Sequence, residues 1–268
     1  MDTEGAREIK RHVQERYAEL ARQHASSCCS APSEATSSCC RQQEGDASRA
    51  QRLYSREELE LISANISSLG CGNPIACSEL VAGETLLDLG SGGGLDCFLA
   101  AQRVGPGGRV IGLDMTPDMV RLARDNARLL SLDNVEFRLG EMEHMPVDSG
   151  SVDVVISNCV VNLSPDKDAV FAEIYRVLKA GGRLSISDMV THGELPPEVR
   201  RDMVQWAGCV AGALDERDYL GKIEAAGFVE VEVVEERQDD FRGAASCRCG
   251  DAPSYQVVSA TVTARKPR

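Results

Sequence analysis

The chain has no cluster of lysine and arginine: 29 basic residues are scattered among 42 acidic ones, for a net charge of −13. Binding to the phosphates of nucleic acid or to an anionic membrane depends on such clusters, so neither partner is expected. No apolar stretch of signal-peptide length follows Met1-Asp2-Thr3-Glu4, and no later window approaches a membrane span, which predicts a soluble, cytoplasmic protein. No internal repeat is visible. Regular Cys-x-x-Cys spacing is absent too, which argues against a closed structural zinc site. The four histidines, His12, His24, His144 and His192, are assigned to the surface or to local hydrogen bonding. What is abundant is cysteine. Eleven of them in a reducing compartment read as metal-binding, metalloid-binding or redox groups rather than a disulfide framework.

The organising stretch is Leu86-Leu87-Asp88-Leu89-Gly90-Ser91-Gly92-Gly93-Gly94-Leu95-Asp96, a short buried strand that stops at a glycine turn and restarts as a helix. Bare amides at a helix N-terminus make a seat for a nucleoside cofactor. A dinucleotide fingerprint needs a third glycine at position 95, where this chain has Leu95. The Asp-x-Gly-x-Gly form fits better, and it resembles the turn of S-adenosylmethionine (SAM)-dependent methyltransferases.

Along the chain, Ile9, Val13, Tyr17 and Leu20 recur at helical spacing within Glu4 to His24, predicting an amphipathic helix. Residues 25 to 50, with Cys28-Cys29 and Cys39-Cys40, read as a mobile loop; Ser55 with Glu58 forms a capping box for a helix ending near Gly70. After the glycine turn, helices and strands alternate as in a parallel sheet covered on both faces. The predicted strands are Val110 to Leu113, Val135 to Leu139, Val152 to Ser157 and Leu184 to Ser187, the last entered through Gly181-Gly182. Asp114 ends its strand twenty residues after Gly94, where a carboxylate can accept both ribose hydroxyls; a helix N-terminal acid before Thr116-Pro117 is the plainer alternative. Glu141, Met142 and Glu143 stand where an adenine ring could be met, or are a solvated acidic loop. Beyond Asp188 a helix through Met203, Trp206 and Cys209 and another centred on Tyr219 and Ile223 suggest a lid or substrate region. An antiparallel hairpin of Val229 to Val234 and Val257 to Val262 closes the chain, with Cys247 and Cys249 between its strands. The expected division is 1–53 as N-terminal helix and cysteine-bearing loop, 54–190 as SAM-binding core, and 191–268 as the substrate region that completes the sheet.

Four runs together resemble the arsenite methyltransferases: Asp88 to Gly94, Gly112-Leu-Asp-Met115, Ser157-Asn-Cys-Val-Val-Asn-Leu163 and Glu173-Ile-Tyr-Arg-Val-Leu-Lys179. Leu69-Gly70-Cys71-Gly72-Asn73-Pro74 and Gly208-Cys209-Val-Ala-Gly-Ala-Leu214 add to the likeness, which covers residues 54 to 235. It implies a Rossmann-like α/β class I methyltransferase fold, mostly parallel with an antiparallel last strand, and SAM as cofactor. It further implies cofactor contacts from Asp88, Gly90, Ser91, Gly92, Asp114, Met115, Glu141, Met142, Glu143 and Asn158. Cys71, Cys159 and Cys209 fall where that family keeps its arsenic-binding thiols. Trivalent arsenic is soft and pyramidal, takes three sulfurs, and keeps a lone pair on its open side. No general base is then needed, because the lone pair is the nucleophile and positioning supplies the catalysis. Methylation formally oxidises arsenic, so a reducing step must follow. The resemblance places a redox cysteine about thirty residues before the first ligand, where Cys39 and Cys40 lie 32 and 31 residues before Cys71, with thioredoxin or glutathione as reductant. Arsenite and methylarsenite are the implied substrates. Cys77 and Cys97 read as buried structural thiols. The rival readings are a methyltransferase of another small molecule with an oxygen, carbon or nitrogen acceptor, and a non-catalytic thiol-rich protein that sequesters a metalloid.

Overall fold

The computed structural model describes residues 3–27, 52–56, 58, 70–237 and 255–268. Helix α1 (Thr3–Ser27) comes first, then α2 (Pro74–Cys77), β1 (Thr85–Leu89), α3 (Leu95–Val104), β2 (Arg109–Asp114), α4 (Pro117–Leu129) and β3 (Val135–Leu139). There follow β4 (Val152–Asn158), a 3-10 turn (Val161–Leu163), α5 (Lys167–Val177), β5 (Leu178–His192), α6 (Pro197–Arg200) and α7 (Met203–Ala207). The chain closes with β6 (Leu214–Asp215), α8 (Glu216–Ala225), β7 (Val229–Arg237) and β8 (Gln256–Arg265).

The strands form one sheet in the order β3-β2-β1-β4-β5-β8-β7, with β6 alongside β5. β1 to β5 run parallel, and β8 runs antiparallel to both β5 and β7. β1 lies between β2 and β4, so both its edges are paired, and Leu86, Leu87 and Leu89 are wholly buried, as in a strand covered on both faces. One consequence decides function: the carboxyl ends of β1, β2 and β4 finish side by side, with Leu89 opposite Leu113 and Ser157. Ligands of open α/β sheets bind at such an edge. The apolar stripe of α1 buries Ile9, Val13 and Ala21, and the helix packs on α4, α7 and the 3-10 turn beside that edge. The capping box is present as reciprocal bonds, Ser55 N–H to Glu58 Oε2 at 2.8 Å and Glu58 N–H to Ser55 Oγ at 3.2 Å.

Three expectations change. The Gly181-Gly182 pair does not lead into a strand at Leu184; β5 begins at Leu178, directly where α5 ends, and the pairing steps from Val152–Leu178 to Val154–Arg183. The glycines supply the bulge, Gly181 at φ +79°. The helix through Met203 stops at Ala207, because Cys209 adopts φ +64° and ends it. Cys77 is half-buried rather than buried, whereas Cys97 is fully buried and donates its thiol to Asp88 at 3.2 Å. Cys28, Cys29, Cys39, Cys40, Cys247 and Cys249 lie outside the described residues, as do most of the helix after Ser55 and the segment 28–50.

Candidate active site

A cleft of about 1010 Å³, open solvent included, lies at the carboxyl edge of β1, β2 and β4 and is at the upper end of the range for ligand sites. Its floor is the glycine turn. Gly90 and Gly92 take φ +67° and +50°, and a Cβ on Gly90 would sit 2.4 Å from the Val160 side chain, so only glycine fits there. Gly94 is the N-cap of α3 with no side chain capping it, which leaves first-turn N–H groups facing the cleft.

Asp114 closes one side. Gly92 N–H donates to one of its carboxylate oxygens at 3.0 Å and Thr116 N–H to the other at 2.8 Å. The two alternatives raised by the sequence are therefore compatible: the carboxylate braces the start of α4 and also lines the cleft. Asp88 and Asp96 stand nearby, both buried. Burial raises the pKa of all three acids: Asp88 rises well above the ordinary range, with Asp96 and Asp114 adding repulsion, and Asp96 is pushed up to about 6. Acids crowded in this way favour a cationic ligand, and SAM carries a sulfonium and an ammonium. Ser91 Oγ is buried in the same wall and has no hydrogen-bond partner among the described residues. The acids, the open amides and this unpaired hydroxyl together fit that cofactor.

The cysteines gather at the end of β4. Cys71 and Cys159 are joined by a disulfide, their Cα atoms 5.7 Å apart across 88 residues of sequence. Cys209 donates its thiol to the Cys159 carbonyl at 2.7 Å. Of the three, Cys159 lines the cleft; Cys71 and Cys209 are not among its lining residues and reach it through their bonds to Cys159. Cys159 and Cys209 have φ of +62° and +64°, a backbone form that costs a side-chain-bearing residue about 1–3 kcal/mol and persists only where neighbours enforce it. Cys159 N–H is tied to Ser187 O at 2.7 Å and Cys209 N–H to Trp206 O at 3.0 Å. Around the trio lies an apolar shell that includes Ile9, Val13, Leu163, Met189 and Trp206.

Asn158 organises the Cys71 side. Its Oδ1 accepts from the N–H groups of Cys71 (3.0 Å) and Gly72 (3.2 Å). Its Nδ2 donates to Gly72 O (2.8 Å), Tyr54 Oη (3.0 Å) and Asp96 Oδ2 (3.1 Å). It borders the cleft, yet its amide is spent on holding the cysteine loop. Asn158→Ala leaves two loop N–H groups unpaired at roughly 1–3 kcal/mol each. The expected result is a lowered melting temperature together with at least about tenfold slower turnover; an unchanged turnover would remove Asn158 from this role.

Of the residues picked from sequence, Asp88, Gly90, Ser91, Gly92, Asp114, Met115, Met142, Glu143, Asn158 and Cys159 border the one cleft. Glu141 does not; it is bound to Lys10 Nζ at 2.6 Å, outside the lining. Lys10 bridges on to Glu143 at 3.0 Å, and Glu143 accepts from Ser164 Oγ at 2.6 Å. Burial lowers the Lys10 pKa, but its bonds to the two glutamates outweigh that and leave it raised. Helix α1 was missed as part of the site. Lys10, Val13 and Tyr17 line the cleft, and Gln14 Nε2 donates to Met115 O at 2.8 Å. The available signal was that Lys10 and Gln14 flank the buried stripe of Ile9 and Val13. Asp96 was missed as well, since an acid in a first helical turn is ordinary.

The strand order with one reversed strand, the glycine turn and the acid at the end of β2 define a class I SAM-dependent methyltransferase. The profile of a family described as a methyltransferase domain matches residues 80–227. An arsenite methyltransferase of Halobacterium salinarum is 45% identical over 99% of this chain and 68% of its own length. That of Aquipseudomonas alcaligenes is 37% identical over 83% of this chain and 65% of its own. Among solved structures, an arsenic(III) SAM methyltransferase from Chlamydomonas reinhardtii superposes with a TM-score of 0.66 at 33% identity, covering 84% of this chain and 73% of that one. The chain belongs to the arsenite methyltransferase family, and it spans about two thirds of the length of both these microbial relatives.

Proposed function

We propose that this chain transfers methyl groups from SAM to trivalent arsenic, arsenite or methylarsenite, held by Cys71, Cys159 and Cys209. The observation that carries the proposal is the gathering of these three cysteines, far apart in sequence, beside the glycine-turn cleft. We read 54–190 as the cofactor-binding core, 191–268 as the region that brings Cys209 and completes the sheet, and 1–53 as an N-terminal helix followed by a cysteine-containing loop. Bound SAM supplies an electrophilic methyl on a sulfonium, already an activated leaving group. Asp114 and the amides of the glycine turn orient the nucleoside, Met142 and Glu143 face the adenine, and the apolar shell of α1 and Trp206 keeps water from the reacting centre.

The disulfide must be opened first. Two electrons and two protons from a dithiol of the thioredoxin class, or from two glutathiones, return Cys71 and Cys159 to thiols. The three thiols then displace three hydroxides from arsenite as three waters. Transfer leaves arsenic formally pentavalent; oxidation of two thiols to a disulfide, releasing two protons, restores the trivalent state. The Cys71–Cys159 bond is the kind of product such a step leaves, and Cys39 or Cys40 would relay the oxidation onward. A cytoplasmic setting suits this need for reductant. Among the described residues no helix is long and apolar enough to cross a membrane.

Counting sulfurs tests the ligand set. X-ray absorption at the arsenic edge, on reduced protein loaded with one equivalent of arsenite, is expected to show three sulfur neighbours. Single serine variants at positions 71, 159 and 209 should each show two sulfurs and one oxygen. Three sulfurs persisting in any of them would place the arsenic elsewhere.

A further inference from the structure

Asp96, in the first turn of α3, stands between the cofactor seat and the loop that carries Cys71. It lines the cleft and is 8% exposed. Tyr54 Oη donates to its Oδ1 at 2.8 Å, and Asn158 Nδ2 donates to its Oδ2 at 3.1 Å. Both donors are neutral, and among the described residues Asp96 forms no ion pair. A buried carboxylate held only by neutral donors is costly, and it favours a cation arriving from the cleft. Asp88, deeper at 2% exposed, already takes the Cys97 thiol.

Asn158 carries the connection to the loop. Its Oδ1 accepts the Cys71 and Gly72 N–H groups, and a Cβ on Gly70 would fall 2.3 Å from its side chain, so the loop lies tightly against the amide. From β8, Ser259 Oγ holds the other side of the loop by donating to Cys71 O at 2.9 Å. Asn158 Nδ2 has two hydrogens but three acceptors, Gly72 O, Tyr54 Oη and Asp96 Oδ2. The carboxylate is the charged acceptor and draws them most strongly, in competition with Gly72 O. A group that offsets the charge on Asp96 therefore leaves these hydrogens to the loop.

The sheet order says which part of the cofactor comes to Asp96. Met142 and Glu143, read above as facing the adenine, follow β3, and Asp114, read as the ribose acid, ends β2. Asp96 and Asn158 lie further along the same edge, after β1 and at the end of β4. What is left for them is the amino-acid end, with its ammonium. Resting on the arsenic reading above, we infer that Asp96 binds this ammonium and, through Asn158, tightens the Cys71 loop, so that a filled cofactor seat strengthens arsenite capture. The coupling is reciprocal: bound arsenite tightens the nucleoside by the same factor.

The test is calorimetric titration of the full chain with arsenite, the protein kept reduced with a phosphine. It is run without nucleoside, with saturating S-adenosylhomocysteine, which has the ammonium but no methyl to transfer, and with saturating methylthioadenosine, which lacks the amino acid. S-adenosylhomocysteine is expected to tighten arsenite by at least about fivefold, and methylthioadenosine to leave it within about twofold. Asp96→Asn removes the charge. Without nucleoside it should bind arsenite about as tightly as the native protein does with S-adenosylhomocysteine, and gain nothing further from that nucleoside. Its affinity for S-adenosylhomocysteine should fall about tenfold while that for methylthioadenosine holds; a merely structural role would weaken arsenite and both nucleosides together. Tightening by S-adenosylhomocysteine that persists in Asp96→Asn, or nucleoside-free arsenite binding no tighter than native, overturns the inference. Should that variant fail to fold, the native protein decides alone, because equal effects of the two nucleosides on arsenite overturn it as well. If reduced protein binds S-adenosylhomocysteine and no arsenite at all, the arsenic reading itself has failed, a different and recognisable result.

Discussion

Cys209→Ser is expected to lower arsenic methylation by more than about a hundredfold while leaving SAM affinity within about twofold. Serine keeps the volume and even the hydrogen bond to the Cys159 carbonyl, so the fold has little reason to change. What goes is a soft ligand. A hydroxyl binds trivalent arsenic far less well than a thiolate, and with two sulfurs the metalloid is no longer fixed with its lone pair toward the methyl. The cofactor cleft is bordered by the ends of β1, β2 and β4, the glycine turn and α1, and Cys209 is not among its lining residues, which is why binding of SAM should survive. Cys159→Ser should behave similarly in turnover. Because Cys159 borders the cleft and sits at φ +62°, a small loss of SAM affinity is expected there and not at Cys209. Full turnover in either variant would remove that residue from the ligand set.

The second large effect is expected at Asp114. Asp114→Ala should weaken SAM by at least about tenfold, since a charge-assisted hydrogen bond contributes roughly 1.5–3 kcal/mol. It should leave the number of arsenic atoms bound per protein unchanged. Part of the loss is indirect, because the N–H groups of Gly92 and Thr116 lose their acceptor and the glycine turn loosens. Asp114→Asn should be weakened too: its single amide oxygen can replace only one of the two carboxylate oxygens that accept from Gly92 and Thr116, and it presents no charge to the ribose. Calorimetry on the two variants is the check. If alanine binds SAM as tightly as the native carboxylate, the ribose role is wrong.

Much of the sheet could be read from the chain because local signals agreed with one another. Leu86 to Leu89 is short, apolar and closed by glycines; Thr116-Pro117 opens a helix; Val257 to Val262 is an unbroken strand former. The boundary of β5 could not be read, because Gly181-Gly182 serves equally as a helix stop and as a bulge, and only pairing with β4 decides which. The glycine turn and Asp114 were legible as one wall of the cleft since they lie on one βαβ unit, where chain distance fixes spatial distance. The thiol trio was different. Residues 88 and 50 apart have no local signal of proximity, so the grouping came from family resemblance, and the Cys71–Cys159 pairing was not anticipated. Helix α1 was read correctly as amphipathic, yet nothing in a stripe of Ile9 and Val13 says which surface it covers. The same holds for Lys167 and Asp188. A lysine at the start of a helix and an acid within a strand look exposed in sequence and turn out buried, one on each side of the turn after Cys159.

The most direct test is arsenic speciation by chromatography after the full chain is incubated with arsenite, SAM and a thioredoxin system. Methylated arsenicals that form with the native protein, and that vanish when SAM is omitted or Cys209 is serine, are the predicted result. Protein that binds SAM yet leaves arsenite unchanged in the presence of reductant would contradict the account and return the small-molecule methyltransferase with another acceptor as the better reading.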